Sequence, residues 1–165
     1  MSTRRTMDPM RRREILRPMD QLPVGPNGRR CCRMCGKEVT PPRRCWCSQE
    51  CVDRFSILTD PGYVRALLFK RDKGVCALCR LDTVKAHKAW SKQKGEMPYQ
   101  EWHDAGKQMG FIRSNSRNAW DADHIVPVCE GGGECSLENY RTVCIPCHKD
   151  VTAALAARRA KKESA

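Results

Sequence analysis

Apolar positions recur at helical spacing in only a few stretches of this chain. Cys51, Val52, Phe55 and Leu58 mark one face of a helix predicted over 49–58, with Ser48 as its cap and Glu50 in its first turn. A second helix is predicted over 61–73. Asp60 or Thr59 caps it, Pro61 takes its first position and Gly74 ends it. Its Tyr63, Val64, Leu67, Leu68 and Arg71 make a mixed apolar and basic face. Residues 80–119 are polar, yet helical patterning emerges over 81–92 and 99–109, with Pro98 near the second start and Gly110 near its end. Trp90, Tyr99 and Trp102 read first as a small satellite core and second as a surface for stacking bases. Residues 114–118 read as a loop. Beyond them the order is strand, turn, strand, helix. Residues 123–128 are β-rich, 130–134 form a flexible Gly-rich connection, and 136–139 make a local turn or short helix. Residues 140–144 are strand-like, and a helix begins at Cys147. That helix ends in Arg158, Arg159, Lys161 and Lys162, which suit the negative end of its dipole.

The first thirty residues carry no such pattern. Eight arginines are scattered there among Pro9, Pro18, Pro23 and Pro26, so 1–30 is expected to be a flexible basic tail. Only the stretch 10–19 has the makings of one short helix, ended by Pro18. No apolar run has signal-peptide or membrane-spanning length. The expectation is an intracellular protein, cytoplasmic if bacterial or phage and nuclear if eukaryotic, with no membrane partner.

Composition then raises a question of stability. Only 40% of the 165 residues are hydrophobic and 6% aromatic, a thin supply for a core. Twelve cysteines answer it. In a chain expected to be intracellular, paired Cys-x-x-Cys reads as zinc in preference to disulfide. Cys32, Cys35, Cys47 and Cys51 have the spacing of one structural zinc site, a finger over 31–58. Cys31 and Cys45 are surplus, and either can stand in for a neighbour. Cys76, Cys79, Cys144 and Cys147 supply two further knuckles, closing a second structural site across a long loop. The helix over 61–73 would pack between the two sites. Four thiolates leave no open coordination position, so both zincs should be structural. The formal net charge of +12 points to a polyanionic partner, nucleic acid first.

The remaining chemistry is concentrated between Trp120 and His148. Asp123 and His124 adjoin on a strand, so their side chains point to opposite faces and can do different work. One can bind a metal while the other faces a substrate. Coordination of Cys147 would fix the direction of His148. Phosphodiester cleavage needs a cation to neutralise phosphoryl charge and a base to deprotonate water. Asp123, His124, Asn139 and His148 together supply those parts.

The spacing His-x14-Asn-x8-His, over His124, Asn139 and His148, resembles the HNH endonuclease motif. The phrase Asp-His-Ile-Val-Pro, the glycines after it and Cys-Ile-Pro-Cys-His-Lys are similar to the family's zinc-containing branch. Trp120, the run from Gly131 to Asn139, and the upstream Cys32–Cys35, Trp46-Cys47-Ser48 and Gly74-Val75-Cys76 motifs also resemble the nuclease domain at the C-terminus of the eukaryotic zinc-finger Ran-binding annealing helicases. The likeness covers roughly 31–155 and fails over 80–118.

This resemblance implies a small zinc-stabilised α+β protein, a ββα-metal core behind an N-terminal treble-clef-like or MYM/FCS-like finger. It implies a nuclease domain over 59–165, with a connecting helix at 59–75, a variable insert at 80–119 and the ββα-metal motif at 120–158. His124 would be the general base. Asp123 and His148 would hold a catalytic Mg²⁺ or Mn²⁺, with Zn²⁺ or Ni²⁺ as substitutes. Asn139 would fix the turn. The substrate would be DNA, double-stranded, nicked or branched, cut to 5′-phosphate and 3′-hydroxyl ends. The competing reading is a catalytically silent zinc module that binds nucleic acid. Asp121 reads as a surface acid before it reads as an aid to the metal. Cys129 and Cys135 read as small buried or free thiols, with Cys135 as a spare ligand.

Overall fold

The computed structural model describes residues 9–112 and 119–163; the loop expected at 114–118 lies outside the described residues. The helices are α1 (Pro9–Ile15), α2 (Gln49–Thr59), α3 (Pro61–Asp72), α4 (Thr83–Lys92), α5 (Tyr99–Gln108) and α6 (Ile145–Glu163). Two strands, β1 (Trp120–His124) and β2 (Tyr140–Cys144), pair as a two-stranded sheet. Short 3-10 turns occupy Met19–Gln21, Val128–Glu130 and Leu137–Asn139. These elements gather into two compact units. One runs up to Val64 and includes His124–Asn139; the other combines Arg65–Asp123 with the segment from Tyr140 on.

The first unit is built around sulfur. Cys32, Val39 and Cys51 are buried together, with Met34, Trp46 and Cys47 packed against them. Trp46 meets Phe55 of α2 with ring centroids 4.7 Å apart, and the Arg33 guanidinium lies over both rings. The Ser48 hydroxyl accepts from the Cys51 amide at 3.2 Å, the predicted cap of α2. The basic stretch expected to be a flexible tail is folded where it is described. It forms α1, and Ile15 and Leu22 are only 4% and 6% exposed. Two apolar anchors seven residues apart in an Arg-rich run set up no periodicity, which is why the pattern missed them.

The second unit buries Cys76, Val143 and Cys144, with Leu81 and Cys147 against them, and α6 packs on β2. Leu68 of α3 and Thr142 of β2 are fully enclosed. The Thr142 hydroxyl donates to Asp72 at 2.8 Å, and Arg71 donates to Asp72 and to the Tyr140 carbonyl. The Arg71 guanidinium holds the Asp72 carboxyl below its ordinary value; burial opposes this and Thr142 assists it. α3 is thereby fastened to the start and the middle of β2.

Helices α4 and α5 realise the expected satellite core. Trp90 and Trp102 stack with centroids 4.3 Å apart and planes 9° from parallel. Each indole N–H donates to the other residue's carbonyl, at 2.9 and 3.0 Å. Both polar edges of these half-buried indoles are therefore satisfied internally. Phe111 joins them at 5.5 Å from Trp90, while Tyr99 stays 67% exposed at the rim.

The first strand is the main correction. It covers Trp120–His124, three residues before the expected 123–128. Trp120 anchors it, 4% exposed and stacked with Phe69 at 6.5 Å. Ile125 and Val126 looked like strand residues, yet they are 51% and 46% exposed. Their amides go to Asn139, one to its carbonyl and one to its side chain, and Pro127 then leads into a 3-10 turn. Helix α6 also begins two residues early, at Ile145, with Pro146 in its first turn. Among the described residues no helix is long and apolar enough to cross a membrane.

Candidate functional site

Two four-cysteine clusters are assembled, and both were expected from spacing. Cys32, Cys35, Cys47 and Cys51 form one; Cys76, Cys79, Cys144 and Cys147 form the other. Within each cluster all sulfur atoms lie within 4.8 Å of one another. Tetrahedral zinc with bonds of about 2.3 Å needs sulfurs about 3.8 Å apart, so both clusters are compatible with zinc. Cys31, Cys45, Cys129 and Cys135 take no part in them. Cys129 is exposed, not buried.

The two clusters are built alike. In the first, the Gly36 amide returns to the Cys32 carbonyl and the Cys32 amide donates to Lys37. In the second, Arg80 returns to Cys76 and Cys76 donates to Leu81. Gly36 and Arg80 occupy the same left-handed position, at φ +74° and +63°. The second pair of cysteines straddles a helix start in each case, at α2 and at α6. Burial pushes the Cys32 and Cys76 thiols up, but backbone hydrogen bonds outweigh it and bring each to about 6. Those bonds come from Cys35, Cys47 and Met34 in one cluster, and from Cys144, Cys79 and Leu78 in the other. Burial, together with the neighbouring thiols, pushes Cys51 up to about 12 and Cys144 upward as well.

The second unit also gathers acids, an imidazole and two arginines on β1, β2, α3 and α6. His148, in the first turn of α6, approaches Asp121 with Nδ1 2.9 Å from the carboxylate Oδ2. Its Nε2 lies 3.9 Å from Asp123 Oδ1. The other oxygen of Asp123 receives two donors from Arg141, at 2.8 and 2.9 Å. Arg65 lies 3.7 Å from Asp121, donates to the Trp120 carbonyl at 2.8 Å and covers the Trp120 ring at 4.1 Å. Asp121 and Asp123 both meet His148 because strand side chains alternate, so residues two apart share a face. All five ionisable side chains are mostly enclosed, with Asp123 at 13% exposure.

The first unit contains His124, Asn139 and the turn between them. Asn139 is the lock of that turn. Its side-chain oxygen accepts from Val126 N–H at 2.8 Å, and its amide donates to the carbonyls of Val126 and Gly132 at 3.1 and 3.0 Å. Its own carbonyl accepts from Ile125 at 2.8 Å. Gly132 is required by this closure, since an added Cβ would sit 1.8 Å from the Val126 carbonyl oxygen. We expect Gly132→Ala to cost about 1–3 kcal/mol, as overpacking does. Chemical denaturation of the variant checks this, with the amide signals of Val126 and Gly132 as local reporters.

The structure thus brings Asp123 within reach of His148, and it ties Asn139 into the turn that follows His124. It also brings in Asp121, read first as a surface acid, and Arg141, which the sequence left unassigned. Asp121 is engaged by His148 and Arg65 and is not a bare surface acid. Arg141 clamps Asp123. The signal for Asp121 was present in the register, two residues before Asp123, but it was obscured by the misplaced strand. Nothing in the sequence marked Arg141 among 31 basic residues.

The region that carries these residues is similar to known proteins. The family described as HNH endonuclease matches residues 110–154, which span β1, β2 and the first half of α6. Human "DNA annealing helicase and endonuclease ZRANB3" is 35% identical over 127 residues, 72% of this chain and 11% of that protein. The mouse protein of the same name is 32% identical over 147 residues, 77% of this chain and 13% of that one. The chain therefore spans only about a tenth of the length of these relatives. The crystal structure of the human ZRANB3 HNH domain is 30% identical, with 66% of this chain and 99% of that one covered at a TM-score of 0.46. With the motif residues in place on β1, the turn and α6, and the family matched across them, the chain belongs to the HNH endonuclease family.

Proposed function

We propose that this protein is a metal-dependent DNA endonuclease in which Asp123 and His148 hold the catalytic cation and His124 activates water. The observation that carries this reading is the facing of Asp123 Oδ1 and His148 Nε2 across 3.9 Å. The far atom of each residue is already engaged, Oδ2 by Arg141 and Nδ1 by Asp121. Asp123 Oδ1 and His148 Nε2 are one oxygen donor and one nitrogen donor turned toward each other, a set that suits a divalent ion of the Mg²⁺, Mn²⁺ or Zn²⁺ class. When bound, such an ion would neutralise charge on the phosphoryl group and on the leaving 3′ oxygen.

The protein's own residues do the rest. His124 is the base, because a neutral imidazole takes a proton from water near pH 7. Asn139 holds the turn that begins at Ile125 and so limits the freedom of the residue before it. Arg141 keeps one oxygen of Asp123 occupied and fixes the direction of the other. The two cysteine clusters bind structural zinc, the first within a treble-clef-like or MYM/FCS-like finger, and the ββα-metal core spans β1 to α6. The matched relatives' name supports DNA as the substrate class. A basic chain bound through phosphates should discriminate little by sequence and should lose affinity steeply with salt.

The test is a cleavage panel of supercoiled, duplex, nicked, flap, fork and four-way-junction DNA with Mg²⁺, Mn²⁺, Zn²⁺ and Ni²⁺. The expected result is cleavage with at least one metal, leaving ends that a polymerase extends directly and a 5′ phosphatase modifies. Retained DNA binding without cleavage under every condition would overturn the reading and leave a silent zinc module.

A further inference from the structure

We propose that Asp121 is a positioning residue that sets the tautomer and ring direction of His148. This rests on the reading of His148 as a metal ligand and deepens it. The geometry is specific. Nδ1 of His148 and Oδ2 of Asp121 are 2.9 Å apart, the length of a charge-assisted hydrogen bond. An ionised carboxylate can only accept, so in the neutral ring Nδ1 carries the hydrogen. Nε2 is then the lone-pair nitrogen, and it is the atom turned toward Asp123 Oδ1.

Asp121 is itself held. It lies 3.7 Å from an Arg65 nitrogen, and Arg65 is anchored by its bond to the Trp120 carbonyl and its stacking over the Trp120 ring. The chain of support runs from α3 through Arg65 to β1, and from Asp121 to α6. A carboxylate behind a ligating imidazole raises its basicity and fixes its orientation, and removal of such a partner commonly lowers metal affinity by about 10–100-fold. A merely structural Asp121 would need the Arg65 pair and nothing from His148. The approach of the imidazole to Oδ2 is what separates the two roles.

The full chain, with its structural metal loaded, is the right material. Long-range ¹⁵N–¹H correlation spectra of the metal-free His148 ring read the tautomer directly, with no activity required. Wild type should show Nδ1–H with Nε2 unprotonated. Asp121→Asn keeps an acceptor oxygen and should keep that tautomer; Asp121→Ala should lose it. Mn²⁺ titration followed by electron paramagnetic resonance should then show affinity falling about 10–100-fold in Asp121→Ala and less in Asp121→Asn. Zinc content should stay unchanged in all three proteins. An Asp121→Ala protein that keeps Nδ1–H and wild-type Mn²⁺ affinity would overturn the proposal. If wild type binds no Mn²⁺, the metal reading of the site fails, while the tautomer comparison still decides what Asp121 does.

Discussion

Replacing His124 with alanine is expected to lower DNA cleavage by about 10²–10⁴-fold, the usual loss when a positioned general base is removed. DNA affinity, zinc content and thermal stability should remain those of the wild-type protein. The separation follows from what His124 does not do. It is not one of the eight clustered cysteines, and it is not among the residues of either buried sulfur core. It stands at the end of β1, immediately before the turn that Asn139 closes through Ile125, Val126 and Gly132. Truncating it leaves that closure intact. Single-turnover assays at saturating protein isolate the chemical step from binding. Cleavage that survives in His124→Ala at the wild-type rate would show that water is activated elsewhere. Asp123→Ala is the useful companion. It removes a donor to the cation as well as the partner of Arg141, so it should weaken Mn²⁺ binding, which His124→Ala should not.

Much of this site was legible from the chain because its parts depend on local chemistry. Knuckles announce themselves by spacing, since two thiolates on one ion must lie a few residues apart. The helices of the polar insert were found from Pro98, Gly110 and an aromatic cluster, and Trp90 with Trp102 pack where that pattern put them. β1 was misread for a physical reason. Ile125, Val126 and Val128 form the apolar run a strand scan prefers, but their backbone is spent on Asn139 and on a 3-10 turn. The true strand is Trp-Asp-Ala-Asp-His, three polar residues in five, stabilised by Trp120 under Arg65 and by the ion pairs of Asp121 and Asp123. Tertiary partners made that strand, and no local propensity reports them. The same holds for α1, whose burial of Ile15 depends on what it lies against. Asp121 and Arg141 were hidden because their significance is a contact 27 residues away in one case and 18 in the other.

The second large effect belongs to the scaffold. Cys144→Ser should reduce zinc from two ions per chain to one and unfold the unit that Cys144 serves, given the two clusters present. Cys76, Val143 and Cys144 form one buried cluster of that unit, with Leu81 and Cys147 packed against them. Apolar burial on that scale is a small contribution beside structural zinc, whose apparent binding free energy is about 10–16 kcal/mol. A domain stability of about 5–15 kcal/mol does not survive the loss of such a term. Serine adds no usable ligand, and the remaining three thiols would sit close together with no cation to offset them. The Cys32 cluster shares none of these residues, so its zinc should stay bound. Cys129→Ser is the matched control, being exposed and outside both clusters. Metal content by mass spectrometry and amide spectra of β2 and α6 separate the outcomes. Cys144→Ser and His124→Ala should both lose cleavage, but only the first should lose zinc and the β2 signals. If Cys144→Ser keeps two zincs and its folded spectrum, the cluster is not what holds β2 against α6. His148 would then owe its direction to Asp121 alone, with no share coming from the knuckle that precedes it.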